Sequence, residues 1–140
     1  KTLNFLLVVI LVFPLYTQED SIKYSDCTCS CIKSLTYKTM PDSFKLGLKY
    51  PNPGTYNGYE YFSIPESSLV KFIVTDLNFN KVKETDFCLI IQGNYQLSFF
   101  DLLKPVEETK SGIYFIVMTA ISPFTYEQVY KSEKKFVLVK

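Results

Sequence analysis

"SLVKFIVTDLNFNKVKE" spans residues 68–84, and its first nine residues set the class of fold. Val70, Ile73, Val74 and Thr75 are β-branched and Phe72 is aromatic, the residue types that suit a pleated, half-buried surface. The run reads as a strand, and the turn-like "LNFNK" (77–81) ends it.

The same grammar extends in both directions. Toward the N-terminus, "YNGYEYFSI" (56–64) is extended, with Asn57-Gly58 as a tight turn. "PNPG" (51–54) separates it from an earlier strand in which Phe44, Leu46, Leu48 and Tyr50 alternate with Lys45, Gly47 and Lys49. Toward the C-terminus, "TDFCLIIQ" (85–92) is continuously apolar and is expected to be a central strand. "YQLSFF" (95–100) follows after Gly93-Asn94, and "DLLKPVEETKSG" (101–112) is a long connection in which Pro105 weakens any helix. "IYFIVMTAI" (113–121) is the strongest apolar run and a second central strand. "SPFTYEQVYKSEKK" (122–135) reads as a loop or irregular hairpin, and "KFVLVK" (135–140) as a last strand whose lysines guard an edge. About seven strands with turn signals every 8–12 residues predict an all-β, two-layer antiparallel β-sandwich.

The first 17 residues read as a cleavable signal peptide: Lys1, an apolar stretch from Leu3 to Leu15, then polar Thr17 to Asp20. The stretch is shorter than the roughly 17–25 residues of a membrane-spanning helix. The expected organisation is a signal peptide (1–17), a cysteine-rich segment (18–33) and the sandwich (34–140), placing the protein in the secreted, extracellular space with no membrane span after cleavage.

"SLVKFIVTDLNFNKVKE", the later "SGIYFIVMTAI" (111–121) and "KKFVLVK" (134–140) together resemble the pattern of immunoglobulin-like sandwiches. The resemblance implies that Gly112-Ile113-Tyr114 opens the penultimate strand, with Tyr114 at the tyrosine-corner position. The antibody-type cysteine two residues later is replaced by Ile116, and the chain has no tryptophan.

Cys27, Cys29 and Cys31 alternate in "DCTCSC", and Cys88 is the fourth cysteine. In an extended strand the three would share one face, with neighbouring Cα atoms roughly 6.5–7 Å apart, at the upper edge of disulfide reach. An exported chain favours disulfides over thiolate metal sites. All four are expected as disulfide cysteines, one of Cys29 or Cys31 bonding Cys88 and the other two pairing locally or with another chain. By the chain-entropy model, the long crosslink is worth about 4 kcal/mol for a loop of about 57 residues. A four-sulfur zinc site fits poorly, since its first ligands are normally spaced by two to four residues.

Net charge is +1, all 15 basic residues are lysine, and histidine is absent. Nucleic-acid binding is therefore not expected, and the commonest general base and metal ligand are missing. Asp76, Glu84, Asp86, Asp101, Glu107 and Glu108 fall at turns and strand ends, where carboxylates are solvated or capping. No cofactor, metal or catalytic residue is expected. The aromatic-rich "YPNPGTYNGYEYF" (50–62) supplies candidate binding residues Tyr56, Asn57 and Tyr59 for a protein partner. Two rival functions stand beside this one. Cys-x-Cys after a signal peptide is similar to the start of tissue inhibitors of metalloproteinases and their netrin-like relatives, which implies Cys27 as a zinc-chelating N-terminus. Abundant Phe and Tyr also suit a small lipid carrier. N-terminal sequencing of the secreted protein should begin near Gln18, whereas a start at Cys27 would favour the inhibitor.

Overall fold

The computed structural model describes residues 30–36, 39–47, 58–103 and 105–139. The expected signal peptide, Cys27 and Cys29 lie outside them. Among the described residues, nine strands form two antiparallel sheets. The first has the order β1 (Ile32–Leu35), β7 (Gly93–Ser98), β3 (Tyr59–Ile64), β2 (Lys45–Gly47). The second has the order β5 (Lys81–Glu84), β4 (Ser68–Asp76), β8 (Gly112–Ile121), β9 (Gln128–Leu138), with β6 (Cys88–Ile90) also pairing β4. Among the described residues, no helix is long and apolar enough to cross a membrane.

β4 and β8 are the spine of the second sheet. They pair from Leu69↔Ile121 to Asp76↔Tyr114 without a register shift. Their inward residues Val70, Phe72, Val74, Ile116, Met118 and Ala120 are all buried. Phe62 of β3 meets Phe72 edge-on at 5.1 Å and stacks on Tyr95 of β7 at 5.3 Å, so aromatic contacts join the two layers. A short helix, α1 (Phe99–Leu102), closes one end: Ser98 Oγ caps it by accepting from the Asp101 N–H, and Phe99 stacks on Phe136 of β9 at 4.6 Å.

Four details depart from the sequence reading. The run 85–92 is not a central strand; only Cys88–Ile90 is extended, at a sheet edge, with Cys88 and Ile90 buried and Leu89 exposed. Alternation, hidden inside a uniformly apolar run, decides this. β5 and β6 share one flank of β4, and Thr85 bridges the gap: its N–H donates to Phe72 O and its Oγ1 accepts from Phe72 N–H. The final strand begins at Gln128, seven residues before Lys135, because its polar residues face solvent at the sheet edge. Finally, β1 places Ile32 and Lys33 in the first sheet, ahead of the expected boundary at 34.

Two Gly-x-Tyr triplets open β7 and β8. Tyr114 Oη donates to the Lys110 carbonyl at 2.6 Å, and Tyr95 Oη donates to the Ile91 carbonyl at 2.8 Å. Each buried ring is thereby tied to the backbone four residues upstream, where the chain enters its strand. At Gly93 an added Cβ would lie 3.2 Å from the Tyr95 ring, so glycine gives that corner its room. Tyr114→Phe would orphan a carbonyl at this corner and should cost about 1–2 kcal/mol. That is roughly 3–8 °C of thermal midpoint for a domain of this size, read by calorimetry.

Candidate functional site

Alternation along β3 sends Glu60, Phe62 and Ile64 inward and Tyr59, Tyr61 and Ser63 outward. The outward residues line up with neighbours in the same sheet. Tyr61 lies between Gly47 of β2 and Gln96 of β7, and Gln96 pairs in turn with Lys33 of β1. Ser63 lies between Lys45 and Asn94, and its Oγ donates to Asn94 Oδ1 at 2.7 Å. The outer face of the first sheet is thus a surface of tyrosine, amide and lysine side chains. Tyr59 is 37 % exposed at one end of it. Tyr56 and Asn57 lie outside the described residues. The sequence reading missed Tyr61, Gln96 and Lys33. Tyr61 could have been found, since it shares strand parity with Tyr59; Gln96 and Lys33 join only through strand order.

The outer face of the second sheet differs. Ile73, Phe115 and Val117 run through its centre, flanked by Lys71, Lys81, Lys131 and Lys135. Phe79 stacks on Phe115 at 5.5 Å and is held at φ 61° by the β4–β5 turn. Asp76 builds that turn: its carboxylate accepts from the Asn78 N–H, the Asn80 N–H and Asn80 Nδ2. Those bonds, the Asn80 side chain first, hold the Asp76 carboxyl below its usual range. Glu84 pairs with Lys71 and Lys81, and hydrogen bonds from the two ammonium groups, Lys71 first, lower it to about 2. Both carboxylates therefore have structural partners.

Glu60 was not singled out from the sequence, yet it is the most unusual charge-bearing residue described. It is fully buried, and burial pushes its carboxyl up to about 8 against an opposing pull from Lys134.

Cys31 departs from expectation. It is a free, buried thiol in the core, not a disulfide cysteine, and burial raises its pKa. Its carbonyl accepts from the Ser98 N–H, which fixes it just ahead of β1. Cys88 is buried on β6 and is not among the free cysteines. No group of three or more His, Cys, Asp or Glu side chains fit to hold a metal occurs among the described residues. A hollow of about 230 Å³ lies beside β5 and the α1–β8 connection, lined by Val82, Lys83, Leu103, Pro105, Glu108 and Thr109. It is smaller than the roughly 300–1,000 Å³ typical of ligand pockets.

No family model matches the chain, and no curated protein matches it in sequence.

A buried thiol with a raised pKa is a poor nucleophile. Iodoacetamide should therefore label the Cys31 peptide only after unfolding; labelling of the native protein at the rate of an open peptide would place this thiol at the surface.

Proposed function

We propose that this chain is a secreted, extracellular, non-catalytic module that binds another protein through the outer face of its first sheet. The observation that carries the reading is the juxtaposition of Tyr59, Tyr61, Gln96 and Lys33 on one exposed face. Tyrosine offers large contact area at low entropic cost, amides offer adaptable hydrogen bonds, and lysine tips the preference toward acidic partners. Tyr56 and Asn57 would extend the surface from the preceding loop.

We assign the fold to the immunoglobulin-like sandwiches. The order β2-β3-β7 opposite β5-β4-β8-β9 supports this, as does the Tyr114 corner at the start of the penultimate strand. On this reading β1 is an added strand beside β7. The expected crosslink from the cysteine-rich segment to the domain falls to Cys29 and Cys88, since Cys31 is free.

A photo-crosslinking residue at position 59 should capture a protein partner that the same residue at position 119, on the opposite sheet, does not. Tyr59→Ala should abolish that partner's binding. Because the ring is exposed, stability should change by no more than about 0.5 kcal/mol. Loss of binding together with a large drop in thermal midpoint would make Tyr59 a structural residue and remove the site.

A further inference from the structure

Glu60 occupies a position that the alternation of β3 reserves for an apolar side chain. It points inward with Phe62 and Ile64, and its cross-strand neighbour on β7 is Leu97. Neither carboxylate oxygen has a hydrogen-bond partner among the described residues. An ionised carboxylate left alone in such a layer is strongly disfavoured, so the group keeps its proton.

Lys134 lies on the inward-facing side of the other sheet, near enough for its charge to pull the Glu60 carboxyl down. On β9, Tyr130, Ser132, Lys134, Phe136 and Leu138 share the inward face, and Lys134 is half-buried. Two aromatic contacts bracket the pair. On one side, Phe44 stacks on Tyr130 at 5.2 Å, just before Lys45 pairs with Ser63 of β3. On the other, Phe99 stacks on Phe136 while its N–H donates to the carbonyl of Gly58. Glu60 lies two residues from Gly58 and Lys134 two residues from Phe136, so the two stand at the same level of the seam. Beside Glu60 stand Leu97 and Phe62; beside Lys134 stand Ile116 of β8 and, on its own face, Ser132. The core's other ionisable side chains lie elsewhere. Tyr95 and Tyr114 are tied to carbonyls 91 and 110, Cys31 precedes β1, and the half-buried Asp101 is on α1.

We propose that Glu60 and Lys134 form a proton-controlled latch between the two sheets. While protonated, Glu60 is a neutral filler of the core and Lys134 stays at the rim. When the proton passes to solvent, the carboxylate draws the Lys134 ammonium inward, and an ion pair joins the two sheets. The unfolded chain loses this proton near the ordinary glutamate value of about 4.3, and the folded chain near 8. Glu60's contribution to stability is therefore fully present below the first value, falls as the pH rises between the two, and is lost beyond the second.

The test is an NMR pH titration of the full chain that follows the Glu60 carboxyl carbon and the Lys134 side-chain nitrogen together. Both should shift with one midpoint near 8. In Lys134→Met the Glu60 midpoint should rise by about half a pH unit or more, because a favourable charge has been removed. Glu60→Gln should abolish the Lys134 response and flatten the fall in thermal midpoint between pH 5 and pH 8. A Glu60 carboxyl that titrates in the ordinary range overturns the latch, and so does a midpoint indifferent to Lys134→Met. The wild-type titration decides the first point even where a variant fails to fold.

Discussion

The antiparallel pairing of β4 with β8 is the constraint from which the remaining architecture follows. Eight consecutive residue pairs lock the two most apolar segments together, and the same registration presents Val70, Phe72, Val74, Ile116, Met118 and Ala120 to one side. That apolar face must be covered, and the first sheet covers it through Phe62, Ile64, Leu97 and Leu46. β9 adds on the far side of β8, and the broken pair β5 and β6 adds on the far side of β4. Remove the central registration and neither the inner face nor the seam with the first sheet is defined.

Crossing between sheets is where a sandwich is weakest, because the chain leaves the ladder and its carbonyls lose partners. Two tyrosines repair this at the entries to β7 and β8, each returning its hydroxyl to the carbonyl four residues back. The ring contributes to the core while the hydroxyl serves the turn. Thr85 does comparable work at the gap between β5 and β6, where it gives Phe72 both a donor and an acceptor.

The two outer faces have different chemistry. One carries Tyr59, Tyr61, Gln96 and Asn94, aromatic and amide side chains side by side. The other carries an apolar strip guarded by lysines, two of them tied to Glu84. Between the sheets, Glu60 sets a carboxyl with no hydrogen-bond partner among the described residues inside a largely apolar layer, with the half-buried Lys134 on the second sheet.

Local pattern was enough for the all-β class and for the strands at 68–76 and 113–121, because β-branched and aromatic runs punctuated by Pro, Gly and Asn announce themselves without a partner. The Gly-x-Tyr corner at 112–114 was expected only through the resemblance to immunoglobulin-like sandwiches. Tyr59 could be placed outside from its neighbourhood of turn residues. What local pattern could not supply was pairing. Whether 85–92 sits at the centre or the edge of a sheet, and whether 128–134 is loop or strand, depends on which neighbour accepts its backbone hydrogen bonds. Glu60 shares a parity with Phe62, but only the arrival of the second sheet turns that position into a buried one. Gln96 and Lys33 reach Tyr61 only because β7 inserts between β1 and β3. Composition and alternation act within a strand; burial, adjacency and the state of a buried proton arise when distant strands close on one another.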